Sequence, residues 1–176
     1  GFHIPVVGVN CMNNFGIFLD STPDRWGRVL LERREAEMAR LEKRKVRNLF
    51  ETDYLLGVYD GSRMGALRFK IDPSGEFLDN DSEMATPPWT SLRELENAAL
   101  NLEDCPDVQQ SKWLRMLVAP GSCLGGARPK ANVMDADARL WIAKFPSRKD
   151  RRDVGAWEAV CCDMARKSGI KVSDFM

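Results

Sequence analysis

The chain has no excess of either charge: Lys and Arg total 26, and Asp and Glu total 26. That balance argues against a general binder of nucleic acid or acidic membrane, which carries a basic excess. No apolar run approaches the roughly eighteen residues that span a bilayer. Gly1-Phe2-His3-Ile4-Pro5 lacks the charged start and apolar stretch of a secretory signal. Histidine occurs once, at His3, with no cysteine near it in sequence, so a zinc site has little support. Five cysteines (Cys11, Cys105, Cys123, Cys161 and Cys162) form no CxxC pair. Adjacent Cys161 and Cys162 would strain a bridge, so free buried thiols in a reducing cytosol are expected. There is no internal repeat and no initiator methionine. With the abrupt end at Phe175-Met176, this reads as a segment cut from a longer protein.

What is present suffices for a packed core: 44% of the 176 residues are hydrophobic. Val6, Val7 and Val9 favour a strand, and Asn13-Asn14 with Gly16 a turn. Ser21-Thr22-Pro23-Asp24 opens a helix, with Ser21 or Thr22 as cap, Pro23 first and Asp24 facing the positive end. The spacing of Trp26, Leu30, Met38 and Leu41 carries it to about Arg47, and its many charges, such as Glu37 and Arg40, form a solvated face. Tyr54 to Tyr59 reads as a strand, Asp60-Gly61 as a hairpin turn, and Met64 to Phe69 as the returning partner. Residues 72–90 read as a loop. Ser91 with Glu94 forms a capping box for a helix striped by Leu92, Leu95, Ala99 and Leu102. A short helix follows with Trp113, Leu114 and Leu117. Lys130 to Met134 and Arg139 to Phe145 read as antiparallel strands joined at Asp135 to Ala138. Val154, Trp157, Cys161 and Met164 mark one face of a last helix, ended by Gly169. The fold class is α+β, with a soft boundary near residue 106.

Three features bear on chemistry. Gly121, Gly125 and Gly126 can bring backbone N–H groups up to phosphate oxygens, because no Cβ intervenes. The pattern matches neither the P-loop nor G-x-G-x-x-G, and it suits a plain connecting loop as well. Lys144 sits inside Trp141-Ile142-Ala143-Lys144-Phe145, where burying a cation is costly unless its charge is matched. Phosphate oxygens and a carboxylate would match it; alternatively, an edge-strand lysine reaches solvent along its stem. Glu158 is the natural carboxylate, beside Trp157 at the flank of the face expected to pack on the sheet. A strand lysine held by a helix glutamate is how kinases fix the lysine that binds phosphate. The bland alternative is an exposed helix glutamate.

Gly125-Gly126-Ala127-Arg128-Pro129-Lys130-Ala131, Leu140 to Ser147, and Asp153-Val154 with Trp157-Glu158 together resemble the HipA-type serine/threonine kinases, toxins of type II toxin–antitoxin systems. Upstream, Pro23 to Arg28, Leu30-Leu31, Asp53 to Val58 and Arg63 to Phe69 resemble the same family. The resemblance implies a small α/β amino-terminal subdomain over 1–106 and a partial kinase amino-terminal lobe over 107–176. It implies a bacterial, cytoplasmic, ATP- and magnesium-dependent kinase, with an antitoxin partner (HipB-like) and a protein substrate, and with no direct contact to nucleic acid or membrane. Lys144, Gly125, Gly126, Ala127, Arg128 and Lys130 would bind ATP, and Glu158 would partner Lys144. The family often carries an autophosphorylated serine just before the loop. Here Cys123 aligns with it, so either the neighbouring Ser122 substitutes in a shifted register or that control is absent. The catalytic and magnesium-binding aspartates would lie beyond Met176. On that reading these residues hold no catalytic group or metal ligand, lack kinase activity alone, and bind ATP weakly at best. The alternative of another class is a non-catalytic module that docks an antitoxin or partner chain.

Overall fold

The computed structural model describes residues 16–80, 87–104, 114, 116–118, 121 and 123–176. Among the described residues the architecture is α+β, helices together with one two-stranded antiparallel sheet. The expected strand over 1–20 falls largely outside the described residues. Gly16–Ser21, at its end, forms a 3-10 turn.

Helix α1 (Arg25–Leu41) begins at Asp24, whose carboxylate accepts the Arg25 N–H at 2.7 Å. Asp24 is therefore the cap, not Ser21 or Thr22. The helix ends six residues before the expected Arg47. The reason is Glu35, which is only 5% exposed on the inner flank of α1. Its carboxylate accepts from both terminal nitrogens of Arg44, at 2.5 and 3.1 Å, and from the Arg47 N–H at 3.0 Å. A buried carboxylate needs such partners. Bringing them back to Glu35 turns the chain at Lys43, where φ is 52°.

Tyr54 to Tyr59 departs from expectation too. This segment is not a strand: Glu51–Leu56 is helix α2. Asp53 accepts the Phe50 N–H at 2.9 Å, an acidic cap at the first turn. Arg28 clamps Glu51 with two bonds of 2.8 and 2.6 Å, and the Tyr54 hydroxyl donates to Glu32 at 2.8 Å. The expected hairpin with Met64 to Phe69 is absent as well. Asp60–Ser62 is a 3-10 turn, and Phe69 instead bridges antiparallel to Leu78. Arg63 does what a pairing strand would have done, donating to the carbonyls of Leu55 at 2.6 Å, Val58 at 2.9 Å and Leu78 at 3.2 Å.

Helix α3 (Leu92–Asp104) follows the stripe expected of it, burying Leu95, Ala98, Ala99 and Leu102. Residues 114 and 116–118 are helical, with Leu114, Leu117 and Val118 buried; Trp113 lies outside the described residues. Strands β1 (Lys130–Met134) and β2 (Leu140–Lys144) pair as expected, with Lys130 opposite Lys144, Ala131 opposite Ala143 and Asn132 opposite Ile142. Alternation along the strands separates two faces. Ala131, Val133, Trp141 and Ala143 face one hydrophobic core that also holds Trp26, Leu30, Leu31, Leu95, Leu117 and Phe145. Lys130, Asn132, Ile142 and Lys144 share the other face.

Helix α4 (Val154–Lys167) is capped by Asp153, which accepts the Ala156 N–H at 2.9 Å. It ends before Gly169, whose φ is 80°. Its apolar face does not pack on the sheet as expected. No residue of α4 is buried, and Trp157 is 56% exposed. Cys161 is exposed too, contrary to the expectation of buried thiols, whereas Cys123 is buried. Cys11 and Cys105 lie outside the described residues.

Candidate functional site

The site is assembled on the sheet face turned away from the core. Trp26, buried in the first turn of α1, donates its indole N–H to the Lys130 carbonyl at 2.9 Å. The Trp26 backbone N–H donates to the Gly126 carbonyl at 3.0 Å. Gly121 packs against the same junction: a Cβ there would come within 2.9 Å of both a Leu30 methyl and the Lys130 carbonyl. These contacts hold the loop 123–129 over β1, and Gly126 turns it with φ +83°. A Cβ on Gly126 would lie 3.1 Å from the Lys130 ammonium, so the glycine leaves room for that cation.

Lys130 is 7% exposed, and its ammonium donates to the Gly125 carbonyl at 2.6 Å. Burial, and then the Lys144 cation opposite, push its pKa below the ordinary lysine range, while Asp24 and Glu158 pull the other way. Lys144 projects on the same side of the sheet and forms an ion pair with Glu158 of α4. Of the two readings open for Lys144, the edge-strand lysine that reaches solvent is the one found. Its side chain is 44% exposed and that of Glu158 45%, because β2 is the open edge of the pair and α4 leaves it uncovered. Desolvation therefore acts on Lys130, the lysine that the sequence reading placed at the edge of the loop. Lys130, Lys144, Glu158 and the turn at Gly125-Gly126 share one face, with two cations across from each other. Like charges opposed on a sheet oppose folding, and an anion laid between them would relieve that cost.

The amide of Gly126 is not free for an outside oxygen. It donates to the second carboxylate oxygen of Asp24 at 2.7 Å. The two residues are 102 positions apart, and no signal in the sequence joins them. The amides of Gly126 and Arg25 hold the Asp24 carboxyl below the usual carboxylate range. Arg128 also has a protein partner, Asp150, in a two-point pair of 3.0 and 2.5 Å. Asp150 in turn accepts the Ser147 N–H, and the Ser147 hydroxyl donates to Glu103 of α3 at 2.8 Å. Arg128 thus braces the loop after β2 against the loop before β1. Ala127 is exposed beside it.

Cys123 lies beneath the loop with its thiol between Ser62 Oγ, at 3.3 Å, and Asn132 Nδ2, which donates at 3.1 Å. Burial pushes the thiol pKa up, so it is a packed neutral group. Ser122 lies outside the described residues. A cavity of about 590 Å³ elsewhere is lined by residues including Leu31, Arg34, Glu35, Arg47, Asp53 and Asp79. It shares no residue with the lysine face, and its arginines are already bound by the acids around them. Among the described residues, no three His, Cys, Asp or Glu side chains are grouped to hold a metal ion, and no helix is long and apolar enough to cross a membrane.

The model of the HipA-like C-terminal domain family matches residues 122–176. Those residues include the glycine turn, both lysines and Glu158, so the similarity falls on the site itself and supports the HipA-type resemblance there. No curated protein and no solved structure matches the chain.

Proposed function

We propose that this chain is the nucleotide-holding part of a HipA-like serine/threonine protein kinase of the bacterial cytoplasm, whose complete form transfers the γ-phosphate of ATP to a protein. The observation that carries this reading is the ion pair of Lys144 with Glu158, on the sheet face that also presents Lys130 beneath the glycine turn. The two ammonium groups suit the oxygens of a polyphosphate. Glu158 fixes the direction of Lys144 from a separate element, and the turn at Gly125-Gly126 allows close approach. These groups bind and orient. ATP supplies the transferable phosphoryl group when bound. The described residues do not fit a magnesium site, so no step is assigned through that ion. The antitoxin and the protein substrate belong to the same proposal.

Calorimetric titration with ATP tests it. Binding should be weak but measurable at high ATP concentration, and Lys144→Ala should weaken it by at least about tenfold, the effect of losing one charge-assisted contact. Lys149→Ala, on an exposed loop, should leave it unchanged. No ATP binding by the unaltered chain, or equal affinity in Lys144→Ala, refutes the reading.

A second reading, a docking module for an antitoxin or partner chain, is favoured by one observation. Trp157, Val160 and Met164 of α4 are exposed on one helix face, and Leu140 and Ile142 of β2 are exposed as well. Partner binding of that kind would survive Lys144→Ala and fail in Trp157→Glu.

A further inference from the structure

The donors beneath the glycine turn are already occupied by the protein. The Gly126 N–H is bound to the Asp24 carboxylate, and the Lys130 ammonium to the Gly125 carbonyl. We propose that Asp24 is a built-in anionic plug, holding the phosphate position at Gly126 until an incoming polyphosphate displaces it. The inference rests on the nucleotide reading above and adds a residue from the opposite end of the chain that controls access to the site.

Three observations carry it. The first is geometric: one Asp24 oxygen caps α1 through the Arg25 N–H at 2.7 Å while the other takes the Gly126 N–H at 2.7 Å. The cap needs one oxygen only, so the second can leave without unwinding the helix. The second is exposure. Asp24 and Gly126 both face solvent, so an anion in solution can reach the contact and water can accept the released carboxylate. The third is charge. Held low in pKa by those amides, Asp24 is ionised at neutral pH, and a carboxylate there repels any phosphate brought to the same amide. The Trp26 amide and indole bonds to Gly126 and Lys130 do not involve the carboxylate. They would keep the turn over β1 after Asp24 withdraws.

The test compares the full chain with Asp24→Asn and Asp24→Ser. Both replacements are good helix caps, and both remove the carboxylate charge. Circular dichroism first establishes that each variant folds, and two variants guard against one failing. ATP and inorganic tripolyphosphate are then titrated separately, by calorimetry and by the amide NMR signal of Gly126. Removing the competing charge should tighten both anions by about threefold to tenfold, with the Gly126 amide responding at lower anion concentration in the variants. Unchanged or weaker anion binding in folded variants overturns the plug and leaves the nucleotide site standing. If tripolyphosphate tightens in the variants while ATP binds no form of the chain, the plug stands and the nucleotide reading falls. If neither anion binds any form, both are overturned.

Discussion

Replacing Lys130 with methionine should leave the chain about as stable as before, while removing its hold on phosphate. The expectation follows from what surrounds the ammonium. Lys130 is 7% exposed, and burial together with the opposed Lys144 disfavours its charged form. Methionine keeps the length and most of the volume. What the variant loses is one charge-assisted hydrogen bond to the Gly125 carbonyl, worth at most about 1.5–3 kcal/mol, since that carbonyl belongs to an exposed residue that water can reach. What it gains is release from a buried cation facing a like charge, and exchanges of buried ions for packed apolar groups run from neutral to stabilising by about 1–4 kcal/mol. The two nearly cancel, so Lys130→Met should lie within about 1 kcal/mol of wild type. The pH dependence fixes the origin. A lysine whose folded pKa is below its unfolded 10.5 makes the folded state bind fewer protons, so wild-type stability rises as pH climbs through the folded value toward 10.5. The stability of Lys130→Met relative to wild type should therefore fall with rising pH. Urea unfolding at neutral and at alkaline pH measures both quantities. A variant less stable than wild type by more than about 1 kcal/mol at neutral pH, with the deficit shrinking in alkali, would mean that the Lys130 charge is there for the fold.

Glu35→Gln should destabilise the chain by about 2–3 kcal/mol at neutral pH, since it removes a buried carboxylate bound by Arg44 and Arg47. The Arg44 guanidinium, foremost among its partners, holds the Glu35 pKa at about 2 against 4.5 unfolded. This stabilisation is full above 4.5 and fades as pH falls toward 2, so wild type and variant should converge in acid; a gap independent of pH in urea melts would contradict this. Trp26→Phe should cost about 2–4 kcal/mol, by leaving the buried Lys130 carbonyl without its donor and opening space beside Gly121. A urea midpoint within error of wild type would show that the loop is held by something other than that indole.

The elements that the sequence foretold are those whose determinants lie close together in the chain. The β1–β2 hairpin was legible because two short apolar runs flank Asp135 to Ala138, and Asp135 itself closes the turn by accepting the Asp137 and Arg139 N–H groups at 2.9 and 2.8 Å. Helix α3 was legible from one stripe, and α4 from the spacing of Val154, Trp157, Cys161 and Met164 and from Gly169 at its end, whereas its Asp153 cap was read as loop. Tyr54 to Tyr59 failed because a six-residue apolar run carries no period that separates strand from helix. Glu51 and Asp53 at its head were the signal passed over, since two acids in a first turn favour a helix. The length of α1 failed for another reason. Its apolar stripe stops at Leu41, and the charged residues beyond it gave no stop signal; the end is set by Glu35, which collects Arg44 and Arg47 from the following segment.

The site divides along the same line. Lys144 with Glu158 could be found because strand, loop and helix follow one another within a short stretch. The part hidden from sequence is the part made by distant residues. Trp26 reaches Lys130 across 104 positions and Asp24 reaches Gly126 across 102, each through a backbone group that every residue possesses. A contact of that kind leaves no mark on residue type at its far end, beyond the glycine that makes room for it. The same division decides which lysine of the sheet is buried. A lysine on this sheet does suffer desolvation, but it is the one roofed by the distant α1 junction, Lys130, and not Lys144 on the uncovered edge strand.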